Sequence, residues 1–161
     1  MVIILMGVAG SGKTVLGRAL AAELGWRFED ADSYHSAENI AKMHRGHPLD
    51  DADRAPWLAR LHALITRAIE RREHMILACS ALKQRYRETL RGGLPTVRFV
   101  FLTADKATLR RRLETRAHHF AGPALVDSQL TDLEPPSDAL TLDTTQPPDR
   151  SLAAIRVVFG V

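Results

Sequence analysis

Eight residues near the start, Gly7-Val-Ala-Gly-Ser-Gly-Lys-Thr14, constrain the fold more than any other part of the chain. They satisfy the pattern G-x-x-x-x-G-K-[ST] at every fixed position, directly after the apolar run Val2-Ile-Ile-Leu-Met6. Glycine at 7, 10 and 12 lets the backbone turn tightly and aim bare N–H groups inward, which makes a cradle for phosphate oxygens. A helix beginning at Lys13 adds its positive end to that cradle. In such a loop the lysine reaches the β- and γ-phosphates and the Thr14 hydroxyl can ligate Mg²⁺. The phosphates of ATP are therefore expected on Gly7, Val8, Ala9, Gly10, Ser11, Gly12, Lys13 and Thr14. A bare glycine turn is the alternative, and the strand–loop–helix context of the first 24 residues speaks against it.

Beyond the loop, apolar runs alternate with helical periodicity. Strands are expected over 2–6, 26–30, 74–79, 97–103 and 139–143. Helices are expected over 13–24, 36–45, from Pro56 to about 72, over 82–91, from 104 to about 116, and over 150–158. That alternation predicts an α/β fold: a three-layer arrangement in one domain, 1–161, with a parallel sheet covered by helices on both faces.

A 45% hydrophobic, 25% charged chain with net charge +3 fits a soluble protein that binds a small anion, and it is too weakly basic to argue for nucleic acid. The apolar run at 2–6 is far too short to span a bilayer and no charged leader follows Met1, so no membrane partner and a cytoplasmic location are expected. Cys79, the sole cysteine, cannot form an internal disulfide and suits a reducing compartment.

A P-loop specifies a nucleotide and leaves the reaction open. In an open parallel sheet, ligands gather at the carboxyl ends of the strands, where Asp30 and Asp32 fall. A carboxylate there can accept the proton of an attacking hydroxyl or hold water on Mg²⁺; capping the next helix is the alternative. His35, Asn39 and Lys42 are spaced for one helical face. Arg54, among Asp51 and Asp53, suits a carboxylate or phosphate. Ser80 can cap the helix after the third strand, with Lys83 and Arg87 one turn apart upon it. Arg110, Arg111, Arg112 and Arg116, followed by His118 and His119, form the densest basic stretch. After a fourth strand such a stretch can act as a lid, from about 110 to 130, that brings arginines to the transferring phosphate. An RNA-contacting helix is the competing reading.

Taken together, these blocks resemble the gluconokinase family of small P-loop kinases, relatives of shikimate kinases. The distinctive segments are Asp30-Ala-Asp-Ser-Tyr-His35, Asn39 with Lys42-Met43, Pro48-Leu49, Asp53-Arg54, Pro56-Trp57, Ala78-Cys-Ser-Ala-Leu-Lys83, Tyr86-Arg87, His119-Phe120, Ser128-Gln129 and Leu133-Glu-Pro-Pro136. The chain departs from the family at Ser36, where proline is usual, at Asp50, often asparagine, and at His118, where glycine precedes the His-Phe pair. The resemblance implies ATP-dependent phosphorylation of D-gluconate, a five-stranded parallel sheet and commonly a homodimer. On that reading Lys13, Asp32 and Arg116 are catalytic, Asp32 orienting the primary hydroxyl, and Thr14 with Asp30 supports Mg²⁺. Arg112 joins the nucleotide site. Asp32, His35, Asn39, Lys42, Arg54, Lys83, Arg87 and His119 bind the acceptor. A shikimate or other small-acid kinase is the nearest alternative, although the third strand ends in Cys79-Ser-Ala81 and lacks the triple glycine of shikimate kinases. A nucleotide-binding regulatory or RNA-associated protein is the alternative of another class.

Overall fold

The computed structural model describes residues 1–115 and 123–161. Five strands form one parallel sheet in the order β2-β3-β1-β4-β5. β1 (Val2–Met6) is central because all five of its residues are apolar and all are 0% exposed. It pairs with β3 (Met75–Ala78) from Val2↔Met75 to Leu5↔Ala78, and with β4 (Val97–Thr103) from Val2↔Val97 to Met6↔Phe101. β2 (Arg27–Asp30) and β5 (Leu140–Asp143) are the edges.

The period-two alternation of a strand divides the core in two. Val2, Ile4 and Met6 face one layer, with Trp57, Leu61, Ile65, Tyr86 and Leu90. Ile3 and Leu5 face the other, with Leu16, Leu20, Leu152 and Ile155. The first layer is built by α3 (Asp51–Glu70) and α4 (Gln84–Arg91), the second by α1 (Lys13–Leu24) and α7 (Pro148–Phe159). α1 stops at Gly25, whose φ of 65° gives the left-handed turn that ends the helix.

Several boundaries differ from the sequence expectation. α3 starts at Asp51, ahead of Pro56, because Asp50 and Asp53 form a reciprocal capping box and the helix carries Pro56 inside it. α4 starts at Gln84, because Ala81 adopts φ 44° and breaks the approach. Ser80 is not its cap: Lys83 holds the cap position without a side-chain bond, and Glu134 Oε2 accepts from the Gln84 N–H at 2.6 Å. α2 (Ala37–His44) is capped by Ser36 and excludes His35. α5 (Lys106–Glu114) is capped by Asp105. α6 (Pro123–Asp132) was not expected as a helix. Its Val126 and Leu130, with Leu133 beyond it, pack on Val8, Leu82, Leu109 and Leu113, a small cluster beside the P-loop. Among the described residues, no helix is long and apolar enough to cross a membrane.

Candidate active site

The loop between β1 and α1 is a cradle that only glycine can form. Gly7 (φ 143°) and Gly10 (φ 82°) lie against other backbone: an added Cβ would meet Leu102 O at 2.5 Å and Leu109 O at 2.8 Å respectively. Lys13 Nζ donates to the Gly7 and Val8 carbonyls at 2.9 and 3.0 Å, so its charge lies over the loop. Ser11 is 0% exposed, and its Oγ has no hydrogen-bond partner among the described residues. A buried hydroxyl lacking a partner among the described residues and a lysine held over the loop both fit a polyphosphate.

The carboxyl end of β2 meets this cradle. Thr14 Oγ1 donates to Asp30 Oδ2 at 3.1 Å, and Asp30 Oδ1 accepts from the Asp32 N–H at 3.1 Å. Asp30 therefore caps the 3₁₀ turn Ala31–Tyr34, and the capping alternative considered for the pair belongs to Asp30. Asp32 lies in the first turn on the exposed side. The turn is held from behind by α3, through Trp57 Nε1 to Ala31 O at 2.7 Å and Arg60 Nε to Tyr34 O at 3.1 Å.

His35, Asn39 and Lys42 do not share one helical face. His35 precedes α2 and stacks on Trp57, with ring centroids 4.5 Å apart. Burial, then the charges of Arg54 and Arg60, push its pKa from 6.5 down to about 4, so the ring is neutral. Its Nδ1 is buried without a partner among the described residues. Asn39 is buried and donates to the Asp53 carbonyl at 2.8 Å, while Lys42 pairs with the Asp53 carboxylate at 2.5 Å. These two residues fasten α2 to the start of α3.

The cations expected on the acceptor side thus have different surroundings. Arg87 is buried; it donates to the Ala81 and Leu82 carbonyls at 3.1 and 3.0 Å and to Gln84 Oε1 at 2.7 Å, bracing the loop after β3. Arg54 donates to the Tyr86 hydroxyl at 3.0 Å, and among the described residues no carboxylate pairs with it. Lys83 has Asp132 at the long distance of 3.9 Å. Cys79, fully buried, has its thiol pushed up to about 12 by that burial, which removes it as a nucleophile.

On the far side of the P-loop, a cavity of about 330 Å³ is lined by Gly12, Val15, Leu16, Arg112, Thr144 and Gln146, among others. Arg112 fixes its wall, donating to Gly10 O at 3.2 Å, Thr144 Oγ1 at 2.9 Å and Thr144 O at 2.6 Å. Arg116 and His119 lie outside the described residues, as does the middle of the expected lid, 116–122. Sequence reasoning missed Gln129 and Tyr86 as individual site residues. Gln129 Oε1 accepts from the Ala9 N–H at 2.6 Å, tying α6 to the P-loop. Both stand in family-like blocks, but nothing local in either block shows the partner.

A glycine-loop cradle with a threonine–aspartate pair at its mouth, a flanking cavity and a cluster of cations around Tyr86 define a small P-loop kinase. A family model described as an AAA domain matches residues 2–136. The chain belongs to the gluconokinase family. It is 47% identical to a probable gluconokinase of Xenopus tropicalis, over 85% of this chain and 80% of that one. It is also 47% identical to the thermosensitive gluconokinase of Escherichia coli K12, over 83% and 71% of the two chains. Among solved structures, a gluconokinase from Sinorhizobium meliloti superposes with a TM-score of 0.83 at 38% identity, covering 98% of this chain and 93% of that one. A sugar kinase from Janibacter reaches 0.89 at 40% identity, covering 97% and 92%.

Proposed function

We propose that the protein transfers the γ-phosphoryl group of ATP to the primary hydroxyl of D-gluconate, giving 6-phospho-D-gluconate and ADP. The observation that carries this reading is the meeting of Thr14, Asp30 and Asp32 at the mouth of the P-loop, in a chain of this family that also gathers Arg54 and Lys83 over the Tyr86 ring. A sugar acid needs cations for its carboxylate and polar groups for its hydroxyls, and the crevice offers both.

The P-loop N–H groups and Lys13 hold the β- and γ-phosphates and neutralise charge as the bond to the leaving oxygen lengthens. Asp32 orients the primary hydroxyl and accepts its proton while the new O–P bond forms. Among the described residues no three His, Cys, Asp or Glu side chains gather into a metal cage. Magnesium in phosphoryl-transfer sites takes one or two protein oxygens plus phosphates and water, which Thr14 and Asp30 can supply. Bound there, Mg²⁺ would offset phosphate charge. The cavity beside Arg112 has the size and mixed lining for a nucleobase. Arg116 and His119 are proposed to close over the phosphates, and the chain is proposed to work as a homodimer, checked by light scattering.

A coupled ADP-release assay across gluconate, shikimate, other sugar acids and nucleoside monophosphates tests the reading. Gluconate is expected to give the highest kcat/KM. A higher value for shikimate or a nucleotide overturns the substrate assignment.

A further inference from the structure

Three cations converge on the ring of Tyr86. Arg54 lies 5.6 Å from the ring centroid, Arg85 5.5 Å and Lys83 6.0 Å. The ring is only 6% exposed and belongs to the core layer under α3, so it is a fixed platform. Its hydroxyl is equally fixed: it accepts from Arg54 Nη1 at 3.0 Å and donates to Asp51 Oδ1. The other oxygen of Asp51 pairs with Arg85. Tyr86 is thus the centre of a chain, Arg85–Asp51–Tyr86–Arg54, that joins the start of α4 to the first turn of α3.

The charges in this chain do not balance. Asp51 pairs with Arg85 and feels the charge of Lys83, which lies 3.9 Å from Asp132, whereas among the described residues Arg54 has a phenol hydroxyl as its partner and no carboxylate. Arg54 is half-buried, and among the described residues its guanidinium has a phenol as partner and no carboxylate. The neutral His35 ring, stacked on Trp57, feels the Arg54 charge, so the two side chains lie within electrostatic reach of each other.

We infer that Tyr86 is a positioning residue that holds Arg54 and Lys83 to receive the carboxylate of the acceptor, and thereby selects a sugar acid over a neutral polyol. This rests on the proposed reading that the acceptor is gluconate. The aromatic ring spaces the two cations. The hydroxyl, locked by Asp51, sets the plane of the guanidinium so that its remaining N–H groups can meet a carboxylate. Arg54 acts on the acceptor directly, and Tyr86 and Asp51 act through it.

Tyr86→Phe keeps the buried ring and removes the hydroxyl. The gluconate KM should rise roughly tenfold, the effect of misaligning one charge-assisted hydrogen bond. The KM for ATP should stay within about twofold, because nothing in this chain of contacts reaches the P-loop. The preference for gluconate over D-glucitol, its carboxylate-free analogue, should narrow by a similar factor. Asp51→Ala, which frees the same hydroxyl without touching the ring, should give the same split. A merely structural role would lower turnover of both acceptors together and leave their ratio unchanged, and that result overturns the inference. So does a gluconate KM in Tyr86→Phe equal to that of the wild type. A wild-type enzyme inactive on gluconate would instead remove the parent reading, and this one with it.

Discussion

The hydroxyl of Thr14, at the first turn of α1, donates to Oδ2 of Asp30, the last residue of β2, across 3.1 Å. Two segments sixteen residues apart are thereby joined at the mouth of the loop, on the side proposed to receive the acceptor. Thr14→Val keeps the shape and removes the bond. The Mg²⁺ concentration for half-maximal activity is expected to rise about 10- to 100-fold, the range seen when a supporting partner of a metal site is lost. Titrating Mg²⁺ at saturating ATP checks this, and an unchanged requirement would take Thr14 out of the metal site.

Lys13 is proposed to supply charge at the phosphates, and it donates to the Gly7 and Val8 carbonyls of the loop. Lys13→Ala should reduce kcat by on the order of a hundredfold or more, the effect of one preorganised charge donor. Circular dichroism and melting temperature should change little. Retained turnover would remove this lysine from the mechanism.

Asp30, not Asp32, caps the 3₁₀ turn, so Asp32 can be tested without removing that cap. Asp32→Asn keeps the size of the side chain and loses its basicity. We expect kcat to fall roughly 10²- to 10⁴-fold with little change in ATP binding, as for a lost general base. Near-normal kcat would move the base role to Asp30.

His35 gives a pH dependence of definite sign. Unfolded, it takes up a proton near 6.5; folded, burial against Trp57 and the charges of Arg54 and Arg60 hold it to about 4. Between those values the unfolded chain binds the extra proton, so the contribution of the neutral ring is complete above 6.5 and is lost as pH falls toward 4. Melting temperature should therefore decline over that window, and less so in His35→Gln. An imidazole NMR titration with its midpoint near 6.5 would contradict the buried, neutral ring.

The nucleotide side was legible in the sequence because its groups are nearly contiguous. One strand, one glycine loop and one helix end make the cradle, and each leaves a local signature. The acceptor side is assembled from pairs distant along the chain, such as Arg54 with Tyr86 and Lys42 with Asp53. Charge alone made Lys42 and Arg87 look as available as Arg54. Only the fold shows that the first pairs with Asp53 and the second braces backbone carbonyls. Pro56 misled the start of α3 for a similar reason: a capping box upstream of it outweighs one missing N–H in the second turn. α6 went unseen because its Val126 and Leu130 pack on a small cluster beside the P-loop, away from the two main core layers.

The cradle grows out of β1, wholly enclosed in the middle of the sheet, whereas α2 buries one residue, Asn39, and hangs on Asp53. Local opening follows the amount of enclosed apolar contact, so the two halves of the site should come apart at different free energies. Amide protons of β1 would exchange only when the whole sheet opens, and those of α2 far sooner. On the proposed reading, mild denaturant would then loosen the acceptor side while the loop still gripped nucleotide.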